Sequence, residues 1–134
     1  WRLGTRVGAG ACSEVYEAEC DGDLLGSFVA KVSPLPEKRG TETKKRKRSE
    51  EELNADVLHG EYSLYSGFLR GHPNIPSMPE SCYGDDKGLR FLILERLGND
   101  LGSLVGSNGS LPVARVRDLG GQMLTALRIL HEKH

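Results

Sequence analysis

VGAGACSEVY, residues 7–16, and VAKV, residues 29–32, decide the fold of this chain. Two glycines one residue apart, between β-branched and aromatic residues, predict a hairpin whose backbone can approach phosphate oxygens, because no Cβ blocks the way. The predicted order is strand, glycine-rich turn, strand, and then a strand that carries Lys31. This order differs from the strand, glycine turn and helix of dinucleotide-binding folds, and the Gly-Lys-Ser/Thr ending of a P-loop is missing.

The composition is typical of one globular domain. The chain has 134 residues, of which 37% are hydrophobic and 28% charged, and its net charge of −1 argues against a generally basic nucleic-acid surface. Its three cysteines have no metal-type spacing and predict neither a disulfide framework nor a zinc site. No apolar run approaches a membrane span, and the start has no signal-peptide pattern. We therefore expect an intracellular protein, cytoplasmic or nuclear or both, and the first residue, Trp1, suggests an excised segment.

Alternating apolar and polar residues predict an antiparallel sheet. Prolines in residues 33–36 are expected to stop the third strand, because they cannot donate ladder hydrogen bonds. The last strand is apolar enough to be buried on both faces. The predicted strands are 1–7, 13–20, 28–32, 77–83 and 89–94.

A helical pattern from residue 53 places a carboxylate, Glu61, in an apolar stripe. An ionised carboxylate there costs several kcal/mol unless a cation pairs with it, and Lys31 is the natural candidate. The alternative is that Glu61 lies at the edge of the stripe and reaches water. The apolar positions of the predicted stripe are Leu53, Val57, Leu64 or Tyr65, and Phe68.

Three further segments complete the pattern. Residues 37–52 are polar throughout and predict a solvated insertion that becomes helical near Glu50. Its basic run, residues 44–48, is either a solvated loop or a nuclear-import signal or contact for an acidic partner. Asn99 or Asp100 can cap a short helix, and a last helix capped by Ser110 follows. Its predicted buried stripe comprises Val116, Leu119, Met123, Leu127 and Leu130.

Read together, these segments resemble a Ser/Thr protein kinase. Residues 91–101 (FLILERLGNDL), Ile75-Pro76, and Gln122-Met123 followed by Leu130-His131 resemble the casein kinase 1 group, which includes vaccinia-related and tau-tubulin kinases. The resemblance implies an α+β fold, a protein-kinase-like small lobe with a five-stranded antiparallel sheet and one long helix, then a hinge and the first two large-lobe helices. The implied partial kinase domain, 1–134, divides into small lobe 1–94 with polar insertion 37–52, hinge 95–98 and large-lobe start 99–134.

The resemblance also implies roles for single residues. The backbone around Gly8 and Gly10 would cover the ATP phosphates, with Ser13 in place of the usual third glycine. Lys31 would pair with the α- and β-phosphates, and Glu61 would hold Lys31 in place.

The same resemblance implies an adenine site, with Leu94 as its gatekeeper. Val7, Val15 and Ala30 would contact the ring, and backbone groups of Glu95 and Leu97 would hydrogen-bond to its edge. A departure from the family pattern is Cys12, which stands where an aromatic residue is usual at the turn tip.

The implied activity is transfer of the ATP γ-phosphate to Ser or Thr of a protein substrate. The catalytic-loop Asp and Asn and the Asp-Phe-Gly motif are expected beyond residue 134, together with the Mg²⁺ ligands, so residues 1–134 alone are expected to be inactive. Two alternatives stay open: a pseudokinase or scaffold that binds nucleotide or a partner without catalysis, and a nuclear or nucleic-acid adaptor based on residues 44–48. Nucleic-acid binding is disfavoured by the charge, and no membrane partner is expected.

Overall fold

The computed structural model describes residues 1–20, 26–36, 49–105 and 109–132, which form two compact units, Trp1–Arg96 and Leu97–His134. The basic run at 44–48 lies outside the described residues. Among the described helices, none has the length and apolar character needed to cross a membrane. The elements are β1 (Arg2–Ala9), β2 (Glu14–Glu19), β3 (Phe28–Pro34), α1 (Glu50–Ser66), β4 (Tyr83–Asp86), β5 (Leu89–Glu95), α2 (Leu101–Leu104) and α3 (Val113–Glu132).

The first unit is built on a five-stranded antiparallel sheet with strand order β1-β2-β3-β5-β4. The predicted α+β arrangement of an antiparallel sheet and one long helix is confirmed. Strands β3 and β5 lie inside the sheet, so both of their faces can be covered, which agrees with the nearly continuous apolar run in β5.

The two faces of this sheet carry different apolar clusters. Helix α1 covers one face, where Leu58 packs against Leu92 and Leu94; we call it the helix face. The other face, which we call the opposite face, carries Ala30, Ile93 and their neighbours in a separate cluster. Since side chains alternate along a strand, successive residues of β3 and β5 belong to different faces.

Helix α1 begins with a capping box. The hydroxyl of its N-cap, Ser49, accepts a hydrogen bond from the Glu52 amide at 3.3 Å, and the Glu52 carboxylate accepts one from the Ser49 amide at 2.7 Å. Two otherwise unpaired helix N–H groups are satisfied in this way. Acidic residues 50–52 also complement the positive end of the helix dipole.

The buried side of α1 differs from the predicted stripe. Ala55 and Leu58 are buried, and Tyr62 and Tyr65 pack against the core, whereas Leu53, Val57 and Leu64 are 48%, 53% and 56% exposed. The predicted alternative Tyr65 is confirmed, but the aliphatic positions are wrong, because the side that meets the sheet is made largely of alanine and tyrosine, which a count of aliphatic residues overlooks.

Arg90 of β5 fixes this helix against the β4–β5 hairpin. Its guanidinium donates two hydrogen bonds to the Asp85 carboxylate, at 2.8 and 3.0 Å, and a third to the carbonyl of Ala55 in α1 at 3.2 Å. These bonds hold the pKa of the Asp85 carboxyl below its ordinary value of 3.8. Tyr83 of β4 stacks on Tyr62 of α1 with ring centroids 4.2 Å apart. The helix is therefore held by directional contacts as well as by apolar packing.

The fourth strand differs most from its predicted range. The fourth strand covers Tyr83–Asp86 rather than 77–83, because Ser81 has a φ of +54° and so leaves the extended conformation. Lys87 and Gly88, with φ of +48° and +78°, then form the two-residue hairpin turn into β5. Strand β3 extends through Ser33 and has Pro34 as its last residue, two positions beyond its predicted end at residue 32.

The second unit contains α2 and α3. Asp100 caps α2 by accepting a hydrogen bond from the Ser103 amide at 2.7 Å, as predicted. Helix α3 begins at Val113, after the predicted Ser110 cap, and the carbonyl of Pro112 accepts its first bond. Its predicted stripe is not buried among the described residues: Val116, Met123 and Leu127 are 54%, 58% and 45% exposed.

Replacing Ser49→Ala should lower the free energy of unfolding by about 1 kcal/mol, because the Glu52 amide loses its acceptor at the helix start. The matched control is Ser63→Ala on the exposed side of the same helix, where the hydroxyl bonds back to the His59 carbonyl and alanine is the better helix former. Urea unfolding followed by circular dichroism measures both variants. Equal stability of the two would contradict a stabilising role for the capping box.

Candidate functional site

A Lys–Glu ion pair joins the sheet to helix α1. The Lys31 Nζ of β3 lies 2.5 Å from the Glu61 Oε1 of α1, and the two side chains are 30% and 25% exposed. The ion pair predicted from the sequence is therefore present. Lys31 stands in the middle of β3, between its cross-strand partners Val15 and Leu92, so its backbone position is fixed by hydrogen-bonded strands on both sides.

The position of Glu61 follows from the phase of α1. It lies one turn after the buried Leu58 and one turn before Tyr65, at the margin of the buried side of the helix. Burial raises the pKa of the Tyr65 phenol above its ordinary value of 10.0, and the nearby Glu61 carboxylate raises it further. Glu61 consequently meets a cation and an aromatic side chain at this margin instead of the aliphatic stripe that the sequence suggested.

The glycine-rich turn connects β1 and β2 at the end of the sheet. The Gly10 amide donates to the Ser13 carbonyl at 2.8 Å and closes the turn, and Gly8 pairs with Val15. Neither glycine has a left-handed φ, and a Cβ would meet only ordinary contacts, at 3.9 Å for Gly8 and 3.8 Å for Gly10. The local fold therefore does not require glycine at either position. What glycine provides here is access to the backbone amides.

Ser33 links this turn to β3 and was not identified from the sequence. Its side chain is fully buried, and its hydroxyl donates to the carbonyl of Cys12, in the turn, at 2.6 Å. In the sequence it was only one of the residues expected to stop the strand. The signal that could have identified it is its spacing, because a residue two positions after Lys31 shares its face of the strand.

The apolar candidates divide between the two faces of the sheet. Val15 and Leu94 lie on the helix face with Lys31, and Leu94 is only 4% exposed. Val7 of β1 is 44% exposed. Ala30, by contrast, is fully buried in the cluster of the opposite face, so its assignment as an adenine contact does not fit the structure. Val29 takes that position on the helix face, because strand alternation puts it on the same side as Lys31.

The two hinge candidates fall in different units. Glu95 ends β5, and its carboxylate accepts hydrogen bonds from the Ser77 amide and hydroxyl at 3.0 and 2.9 Å, which lower the pKa of the carboxyl below its ordinary value of 4.5. Its own amide donates to the Ser77 carbonyl at 2.9 Å. Leu97 begins the second unit, and 63% of it is exposed.

The arrangement favours binding of an anion. A lysine ammonium carries three N–H donors, and Glu61 accepts from Lys31 through one oxygen, so the ammonium can bridge this carboxylate and a further anionic oxygen. Among the described residues, no group of three or more His, Cys, Asp or Glu side chains could hold a metal ion.

No protein-family model matches the chain. Among solved structures, it is similar to WbdD in a co-crystal structure with the kinase inhibitor LY294002. The two are 15% identical with a TM-score of 0.48, and the match covers 78% of this chain and 21% of that one. A likeness at this level carries no argument about function.

A double-mutant cycle tests the ion pair. The variants Lys31→Met and Glu61→Gln should each destabilise the protein, because each leaves a largely buried charge without its partner, and the double variant should cost less than the sum of the two. We expect a coupling of about 1–2 kcal/mol by urea unfolding, within the range for residues in contact. Strict additivity of the three unfolding free energies would show that the contact has no energetic weight.

Proposed function

We propose that this chain is the ATP-binding portion of a Ser/Thr protein kinase, which transfers the ATP γ-phosphate to Ser or Thr of a protein. The observation that carries the proposal is the ion pair between Lys31 in β3 and Glu61 in α1, at 2.5 Å. Protein kinases require a lysine on the third strand that is held by a glutamate of the small-lobe helix, and a glycine-rich hairpin above the phosphates. The sheet order and the position of helix α1 support the same reading.

The proposed roles follow from this geometry. Lys31 would neutralise charge on the α- and β-phosphates, and Glu61 would keep its side chain extended along the helix face. The backbone of the turn at Gly8 and Gly10 would cover the phosphates, with Ser13 at its far end. The absence of a Cβ at these two positions would let the phosphates approach the turn backbone closely.

The adenine ring would lie against apolar residues on the same side of the sheet. We assign Val15 and Val29 of the helix face to this contact, together with Val7 of β1. Leu94 would be the gatekeeper, and backbone groups of Glu95 and Leu97 would be the hydrogen-bonding edge. The division of the chain after Arg96 supports a hinge at residues 95–98, between a small lobe at 1–94 and the start of a large lobe at 99–134. The proposed place in the casein kinase 1 group rests only on the sequence resemblance of residues 91–101, of Ile75-Pro76, and of Gln122-Met123 followed by Leu130-His131.

The chemical step needs groups that we expect beyond residue 134. Magnesium ions would neutralise the phosphate oxygens, and an aspartate would orient the attacking hydroxyl. Residues 1–134 would contribute nucleotide binding and phosphate positioning, and the parent protein would act inside the cell, in the cytoplasm or the nucleus. If the parent lacks the aspartate, the same site would serve a pseudokinase that binds nucleotide without transfer.

The basic run at residues 44–48 keeps a second reading open, an adaptor for nucleic acid or an acidic partner. Binding of that kind would fall steeply with salt, because counterions are released from the polyanion. Nucleotide binding at Lys31 would depend on one cation, so its salt dependence would be shallow. A salt series on the same protein therefore separates the two functions.

We expect Lys31→Met to weaken ATP binding at least tenfold, because the cation that the proposal places at the phosphates is lost. The matched control is Lys87→Met, which removes the same charge from an exposed turn. Isothermal titration with Mg-ATP measures both variants next to the unmodified protein. Equal loss in the two variants would indicate a general charge effect, and no loss in Lys31→Met would contradict the proposed site.

A further inference from the structure

A single buried hydroxyl ties the glycine-rich turn to the strand that carries Lys31. Ser33 is the only polar residue in the buried core of the described chain, with an exposed fraction of 0%. Its hydroxyl donates to the Cys12 carbonyl at 2.6 Å, between residues 21 positions apart. A buried hydroxyl without a hydrogen-bond partner costs folding free energy, so this bond stabilises the position of the turn relative to β3.

The turn needs such a link because its other supports are weak. Among the described strands, β1 lies at the edge of the sheet and pairs with β2 alone. The ladder between β2 and β3 ends at the pair Glu14 and Val32, so the turn tip extends past the paired strands. The hydrogen bond from the Gly10 amide to the Ser13 carbonyl closes the turn on itself and does not fix it relative to β3.

We propose that Ser33 is a positioning residue, which sets the height of the glycine-rich turn above the phosphates of the bound nucleotide. This inference rests on the proposed function. Ser33 and Lys31 lie on the same face of β3, two residues apart, so one strand would fix both the cation under the phosphates and the backbone above them. Ser33 itself would not contact the nucleotide, because its side chain is fully buried.

A positioning role and a merely structural role of Ser33 predict different effects on the affinity for different ligands. The turn would contact the phosphates and not the ribose end or adenine. Loss of the hydroxyl should therefore weaken ligands in proportion to their phosphates and leave adenosine unaffected. Loss of general stability would weaken every ligand by the same factor, or none.

The test compares Ser33→Ala with the unmodified protein. Ser33→Ala should weaken Mg-ATP and ADP by about two- to twelvefold, the range that corresponds to one hydrogen bond, while adenosine affinity changes less than twofold. Ser63→Ala, which removes an exposed hydroxyl that also donates to a backbone carbonyl, should leave all three ligands unchanged. Ser33→Thr, which keeps the hydroxyl, should restore much of the ATP affinity.

Amide hydrogen exchange of residues 10–13 is the second readout and needs no nucleotide. Exchange should be faster in Ser33→Ala than in the unmodified protein, and unchanged in Ser63→Ala. An equal loss for ATP and adenosine, or unchanged ATP affinity in Ser33→Ala, would overturn the positioning role. Failure of the unmodified protein to bind ATP would instead contradict the proposed function, and the exchange rates would then decide by themselves whether Ser33 fixes the turn.

Discussion

The ion pair between Lys31 and Glu61 is the interaction on which the first unit depends. It joins the middle strand of the sheet to helix α1, which covers one face of it, and both side chains are largely removed from water. Such a pair contributes little net stability unless its geometry is good, since two charges must lose their hydration. Its value lies in specificity. The pair can form at one strand register and one rotation of α1, so it selects a single docked position of the helix.

That rotation is set at some distance from the pair. Arg90 holds the Ala55 carbonyl of α1, and Tyr83 of β4 stacks on Tyr62 one residue beyond Glu61. These contacts direct Glu61 towards β3 before any ligand is present. A site that uses the Lys–Glu pair to place a phosphate would thus be preorganised by the packing of α1 on the β4–β5 hairpin, which supplies no residue to the proposed phosphate contacts.

The sequence predicted most of the strands of the sheet, but less of how helix α1 and the glycine-rich turn contact them. Alternation and turn residues are local signals, and they placed four of the five strands close to their observed positions. The phase of α1 was predicted only in part. Tyr65 was one of two alternatives for its position and Tyr62 was not identified, because the burial of a tyrosine depends on which partners the sheet offers. The fourth strand was misplaced because Ser81 has a positive φ, a backbone conformation that a serine in the sequence does not predict. The spacing of Ser33 from Lys31 indicates its face of the strand but not its partner, because the bond to Cys12 joins residues 21 positions apart.

The period of two in β3 explains how neighbouring residues serve different purposes. Ala30 is fully buried on the opposite face, whereas Val29, Lys31 and Ser33 share the helix face and present an apolar side chain, a cation and a hydrogen-bond donor in sequence. A shift of β3 by one residue would exchange these two sets and would place a lysine in the apolar cluster. The full burial of Ala30 therefore fixes the register, and the register in turn determines which side chains can meet Glu61 and the glycine-rich turn. In this strand, the register that buries Ala30 in the core is also the register that places Lys31 and Ser33 on the face of the candidate site.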